Sequence, residues 1–261
     1  MSLTKIEWSD RVWNPVTGCT KVSPGCDHCY AENIARRFAG GKSFPNGFDV
    51  TLRHDKLDEP RRWRTPSRVF VNSMSDLFHD DVPSAFIAAV FDVMRETPQH
   101  TYQILTKRHA RMRSLMRSAA PGEGWPLPNV WLGVSVEDQK RADLRIPALL
   151  NTRARVRFLS CEPLLGPVDL GNVDWDGATG LTVLEHPPNG IDWVIVGGES
   201  GVGARRMELE WAASLVRQCR AAAVPVFVKQ LGSAHGAHKG GDMDTWPTEL
   251  RVREFPQAVA R

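Results

Sequence analysis

Apolar runs that end in a polar turn, each followed by a stretch of helical periodicity, recur about six times along these 261 residues. Residues 68–72 (Arg-Val-Phe-Val-Asn) end in Ser73-Met74-Ser75-Asp76, and Phe86, Ile87, Val90, Phe91 and Met94 then line one helical face. Residues 101–105 end in Thr106-Lys107-Arg108 before a basic helix with Met112, Leu115 and Met116. Residues 130–134 end in Ser135-Val136-Glu137-Asp138, ahead of a helix to about Leu150. Residues 156–159 end in Ser160-Cys161-Glu162-Pro163, and residues 193–196 end in Gly197-Gly198-Glu199-Ser200-Gly201. A helix over 209–222 follows, and residues 226–228 end in Lys229-Gln230. Alternation of this kind argues for parallel strands with crossover helices. The expected fold is α/β, a full or partial (β/α) barrel of about six parallel strands over residues 1–232. Residues 11–15 form a short opening strand, residues 40–65 are mixed and polar, and residues 166–190 read as an excursion. An irregular tail over 233–261 packs on the barrel. In such folds the chemistry lies at the carboxyl ends of the strands.

The opening strand leads into a loop at 17–30, Thr-Gly-Cys-Thr-Lys-Val-Ser-Pro-Gly-Cys-Asp-His-Cys-Tyr. Three of the five cysteines of the chain, Cys19, Cys26 and Cys29, fall here with the spacing C-x6-C-x2-C. Gly18, Pro24 and Gly25 interrupt regular structure, so the thiols can curl around one point. Converging thiols point to a metal. A closed zinc site wants four ligands, and His28 sits awkwardly between two of the thiols to be the fourth. Three thiolates on a four-iron cluster would leave one iron open, and the ligand count favours that reading over zinc.

The 33 basic and 30 acidic side chains give a net charge of +3, which permits a nucleic-acid partner without demanding one. The cysteines do not form a disulfide framework. With no signal pattern and no apolar run of membrane-spanning length, a soluble, cytoplasmic monomer without a membrane partner is expected.

Residues 14–32, from Asn14-Pro15-Val16-Thr17-Gly18-Cys19 through Cys29-Tyr30-Ala31-Glu32, resemble the opening of the phage-type three-Cys-motif family. Residues 72–78, 105–108, 132–137, 161–167, 197–201 and 228–230 resemble its later blocks, in order and over nearly the whole chain. That family is in turn similar to radical S-adenosylmethionine enzymes of the spore photoproduct lyase type. The resemblance implies a 4Fe–4S cluster on Cys19, Cys26 and Cys29, with S-adenosyl-L-methionine chelated at the fourth iron. One electron, from a donor such as a flavodoxin or ferredoxin, would cleave the cofactor to a 5′-deoxyadenosyl radical that abstracts hydrogen from the substrate. The implied activity is that of a DNA-repair lyase acting on a thymine photoproduct.

Cofactor-binding roles are then expected at the strand ends, for Ser73, Asp76, Thr106, Lys107, Ser135, Glu137, Glu162, Gly197, Gly198, Glu199, Ser200 and Lys229. Cys161 is the candidate for returning hydrogen to the product radical, and Tyr30, beside the cluster, for relaying a hydrogen atom. Arg36, Arg37, Arg61, Arg62, Arg64, Lys107, Arg108, Arg111, Arg113, Arg117, Arg205 and Arg206 could form a basic rim for DNA, with Trp63 stacking at a base step. The competing readings are a radical enzyme on RNA or peptide, and a zinc-stabilised nucleic-acid-binding protein without catalysis.

Overall fold

The computed structural model describes residues 4–118, 121–173, 175, 182–185 and 190–256. The chain divides into two units, Met1–Gly133 with Asn151–Arg155, and Val134–Leu150 with Val156–Arg261.

In the first unit β1 (Arg11–Trp13) is followed by a two-residue strand, β2 (Val16–Thr17), the cysteine loop and α1 (Tyr30–Arg37). The stretch expected to be merely mixed and polar contains β3 (Thr51–Leu52), which pairs antiparallel with β2, and one turn of helix, α2 (His54–Leu57). The longer elements come next, β4 (Arg68–Val71), α3 (Ser84–Glu96), β5 (Thr101–Thr106) and α4 (His109–Arg117). β1 pairs in parallel with β4 and β4 with β5, so Val69 lies between Arg11 and Tyr102. Helix α3 buries Phe86, Ile87, Val90, Phe91, Val93 and Met94. At about 1.5–3 kcal/mol per buried side chain, these six contribute at most on the order of 10–15 kcal/mol, because unfolded chains already cover part of their apolar surface. Trp13 is fully buried and its indole N–H donates to the Lys56 carbonyl at 2.8 Å, which ties β1 to α2.

Strand β6 (Val130–Ser135) begins in the first unit, where Tyr102 N–H donates to the Asn129 carbonyl at 2.7 Å. Its last residues belong to the second unit, where Val136 N–H donates to the Ser160 carbonyl at 2.8 Å. There α5 (Gln139–Leu150), β7 (Val156–Cys161), β8 (Trp193–Gly197), α6 (Leu209–Ala221) and β9 (Val226–Gln230) continue the alternation. β7 pairs in parallel with β8 and β8 with β9. α6 buries Ala212, Ala213, Leu215, Val216 and Cys219.

Seven strands longer than two residues thus stand among the described residues, rather than about six, because the short opening strand pairs into the series. The chain beyond residue 232 is a string of 3-10 turns, and Val228 N–H donates to the Val252 carbonyl at 2.9 Å while Glu254 N–H donates to Val226. That segment covers the edge of β9, which would otherwise present unpaired backbone groups. Trp246, fully buried, donates its indole N–H to the Gly240 carbonyl, and Arg253 lies over the Trp246 and Phe227 rings. Residues 257–261 of the expected tail, and most of 174–189 in the expected excursion, lie outside the described residues. Among the described residues no helix is long and apolar enough to cross a membrane.

Candidate metal centre

The cysteine loop is mounted on the carboxyl ends of β1 and β4. Asn14, one residue past β1, accepts hydrogen bonds at Oδ1 from Met74 N–H at 3.1 Å and from the Ser73 hydroxyl at 3.2 Å. The Ser75 hydroxyl donates to the Val16 carbonyl at 2.8 Å, and Gly18 N–H donates to the Met74 carbonyl at 3.1 Å. Gly18 itself has φ +84°, and a Cβ added there would fall 2.1 Å from the Asp49 carbonyl oxygen. Only glycine fits, because the chain is both left-handed and pressed against a neighbouring backbone. Cys19 follows directly. Cys26 ends a 3-10 turn that starts at Pro24, and Cys29 sits immediately before α1. Tyr30 opens α1 and donates its hydroxyl proton to the Ser73 carbonyl at 2.5 Å, a second tie between the loop and the end of β4.

The end of β5 supplies the third wall. Asp76 is buried, and its carboxylate accepts from the Thr106 hydroxyl at 2.7 and 2.9 Å, from Lys107 N–H at 3.0 Å and from Phe78 N–H at 3.0 Å. These donors commit the carboxylate to holding the turn after β4 against the end of β5. Arg108 lies 3.6 Å from Asp76, and both side chains are 8% exposed. Its guanidinium donates to Cys19 Sγ at 3.5 Å, to the Thr20 carbonyl at 3.3 Å and to Thr20 Oγ1 at 2.8 Å. His79 completes the set. Its Nδ1 accepts from Asp81 N–H, so the proton is on Nε2, which donates to Thr20 Oγ1 at 2.8 Å. Burial, and then the Arg108 charge, hold the His79 pKa below the ordinary imidazole value.

All five cysteines are thiols, with Cys19, Cys26 and Cys29 half-buried and Cys161 and Cys219 buried. Burial pushes the Cys19 thiol up to about 11, the Asp76 carboxylate adds to this, and Arg108 pulls the other way. Nearby cationic metal reverses that balance and takes a thiol as thiolate. Among the described residues no three His, Cys, Asp or Glu side chains stand close enough together to grip one metal ion. A lone tetrahedral ion would require the sulfurs to draw in to about 2.3 Å from a common point, with a fourth ligand found as well. His28 is exposed. A four-iron cube needs only that the sulfurs ring it, because each thiolate meets a different iron. Three half-buried thiols on one loop, with a buried guanidinium donating to Cys19 Sγ, are a donor set of the kind such a cluster takes.

The second unit holds the remaining strand-end residues, and its three carboxylates are engaged with other groups of that unit. Glu137 is fully buried and accepts from Arg145 at 2.7 Å, and the same guanidinium nitrogen donates to the Ser135 carbonyl at 2.8 Å. Glu162 accepts from Lys229 at 2.7 Å and from the Gln230 amide at 3.2 Å. Glu199 accepts from Arg205 through its backbone N–H at 2.8 Å and its guanidinium at 2.5 and 3.0 Å. Gly197 ends β8, and a Cβ on Gly198 would lie 2.2 Å from the Leu231 carbonyl oxygen, so the two glycines allow the β8 and β9 ends to meet. Ser200 is half-buried beside them. Cys161 ends β7 fully buried, and burial pushes its thiol far above the ordinary range. A thiol in that state is neutral, the form that gives up a hydrogen atom.

Several basic side chains expected on the rim have protein partners. Arg61 pairs with Asp58 and Glu96, Arg36 with Glu32, and Arg111 donates to the His79 and Val82 carbonyls. Trp63 is half-buried, with the Arg11 guanidinium 5.1 Å from its ring and the His100 ring 5.7 Å away. Arg37, Arg62, Arg64, Arg113, Arg117 and Arg206 are exposed. His79 and the Cys19 contact of Arg108 were not legible from the sequence, since they join residues 59 and 89 positions apart.

A family model described as "Protein of unknown function (DUF5131)" matches residues 3–253. No curated protein and no solved structure matches the chain. With all but its ends covered by that family model, the chain belongs to the DUF5131 family.

Proposed function

We propose that the protein is a radical S-adenosylmethionine enzyme, with Cys19, Cys26 and Cys29 holding a 4Fe–4S cluster and the β/α repeat as its radical-SAM-like scaffold. The observation that carries this reading is the mounting of a three-thiol loop on the carboxyl ends of β1, β4 and β5, with Arg108 directed at Cys19. Bound there, the cluster would supply one electron and an iron open to S-adenosyl-L-methionine. The chain's own contribution is placement. Gly18 lets the loop pass close to Asp49, Asp76 and Thr106 fix the end of β5, and Tyr30 anchors α1 to Ser73.

The substrate class that goes with this reading is DNA carrying a thymine photoproduct, approached through exposed cations such as Arg37, Arg62 and Arg64. Cys161, held as a neutral thiol, is the proposed hydrogen donor to the product radical. A low-potential flavodoxin or ferredoxin supplies the electron. Lys107, Ser135, Glu137, Glu162, Gly197, Gly198, Glu199, Ser200 and Lys229 remain proposed cofactor contacts at their strand ends.

Anaerobic incubation of the iron-loaded protein with dithionite and S-adenosyl-L-methionine is expected to yield 5′-deoxyadenosine, and Cys19→Ala to abolish it. Absence of that product from a fully loaded wild-type sample rejects the enzyme reading. Dinucleotide photoproduct left unconverted while 5′-deoxyadenosine forms rejects the lesion substrate alone. Cys161→Ala is expected to keep cofactor cleavage and change the products, and unchanged products remove Cys161 from the reaction.

A further inference from the structure

Arg108 stands out among the cationic side chains by what it faces. An arginine costs least at the surface, yet this one is 8% exposed and its partner Asp76 equally so. A buried pair that served only the fold would be expected to use the guanidinium fork on the carboxylate. Here the closest guanidinium–carboxylate distance is 3.6 Å, longer than a bidentate contact. The hydrogen bonds of the fork go instead to the cysteine loop, to Thr20 twice and to Cys19 Sγ. Arg108 Nε is buried without a hydrogen-bond partner, so the geometry of the side chain is not set by satisfying all its donors. Asp76 is in turn held by Thr106, Lys107 and Phe78, and His79 holds Thr20 from the other side. The arrangement fixes the guanidinium beside one sulfur, with the Asp76 carboxylate 3.6 Å from it offsetting part of its charge, so that removing Arg108 would leave that carboxylate acting on the sulfur alone.

We propose that Arg108 is a positioning residue that makes the metal centre easier to reduce, by donating a hydrogen bond to Cys19 Sγ and placing a buried positive charge beside it. The inference rests on the reading of Cys19 as a cluster ligand. Adding an electron makes a thiolate-bound cluster more negative. A hydrogen bond to the thiolate sulfur and a fixed cation both stabilise the reduced form, and second-sphere groups of this kind tune such centres. In a half-buried site water screens the cation poorly, so the effect exceeds that of a surface arginine.

The test compares wild type, Arg108→Gln and Arg108→Lys, each loaded with iron and sulfide anaerobically, in redox titrations followed by electron paramagnetic resonance without S-adenosyl-L-methionine. At equal iron content the midpoint potential is expected to move to a more negative value in Arg108→Gln. A smaller move in the same direction is expected in Arg108→Lys, which keeps the charge but loses the fork. A potential unchanged from wild type in Arg108→Gln overturns the inference. Should that variant fail to fold or to load, Arg108→Lys decides, and no shift there overturns it. A wild-type sample that takes up no cluster overturns this inference together with the proposed function, whereas a loaded wild type with unmoved variants overturns this inference alone.

Discussion

Replacing Gly18 with alanine tests the loop geometry at its tightest point. The residue has φ +84°, and an added Cβ would lie 2.1, 2.4 and 2.6 Å from Asp49 O, Asp49 C and Phe48 O. Left-handed backbone costs a non-glycine residue roughly 1–2 kcal/mol, and forcing an atom into occupied space about 1–3 kcal/mol more. Both obstructing groups are backbone, so no side chain can rotate away. Gly40 is the internal control. It has φ +77°, but nothing lies within 4 Å of its would-be Cβ. Gly18→Ala should therefore cost about 2–5 kcal/mol and Gly40→Ala about 1–2 kcal/mol. For a chain of this length, 1 kcal/mol corresponds to roughly 2–4 °C in Tm. Urea unfolding followed by tryptophan fluorescence, alongside thermal melts, reads both. The metal content of Gly18→Ala should fall as well, since Cys19 is the next residue. Equal losses in the two variants would show that the close approach to Asp49 does not exist and would refute this account of the loop.

Other consequences can be checked in the same way. Glu137→Gln removes the charge partner of Arg145, with side chains 0% and 5% exposed, and should cost about 3 kcal/mol in urea unfolding. Glu162→Gln, whose pair with Lys229 is 18% exposed on each side, should cost about 1 kcal/mol, and the reverse order would contradict the burial argument. His100 is fully buried, and burial holds its pKa below 6.5, so below that pH the unfolded chain takes up a proton that the folded chain refuses. Stability should fall as pH drops from 6.5 toward the depressed folded value, by up to about 1.4 kcal/mol per pH unit for this one group. His100→Gln should make the decline shallower between pH 6.5 and 5, leaving the part due to His79 and the carboxylates, and parallel curves would count against it.

What was legible in the sequence was whatever depends on local pattern. Residues 69–71 and 193–196 read as strands because they are continuously apolar, as strands buried on both faces are, and α3 reads as a helix because its apolar positions recur every third or fourth residue. β2 and β3 are not legible in the sequence, since two residues each carry no periodicity and their pairing spans 36 positions from Val16 to Leu52. Trp63 among arginines reads from the sequence as a stacking residue at a base step, and the contacts of its ring with Arg11 and His100, remote in sequence, are not legible there. The cysteine trio was visible at once from spacing. Its setting was not, because the anchoring of Cys19 by Arg108 depends on where β5 ends relative to the loop, and no local pattern encodes that. The sequence offers Lys107 as a cofactor contact and Arg108 only as part of a basic rim, whereas Arg108 is the one directed at the sulfur.

The proposed function requires that three thiolates hold a four-iron cube with one iron left for an exchangeable ligand. The most direct measurement is electron paramagnetic resonance of the anaerobically loaded, reduced protein before and after adding S-adenosyl-L-methionine, with iron and sulfide assayed on the same sample. About four irons and four sulfides per chain, with a signal that changes shape when the sulfonium compound is added, is the predicted result. A colourless protein carrying zinc, or a cluster whose signal does not respond, would contradict it.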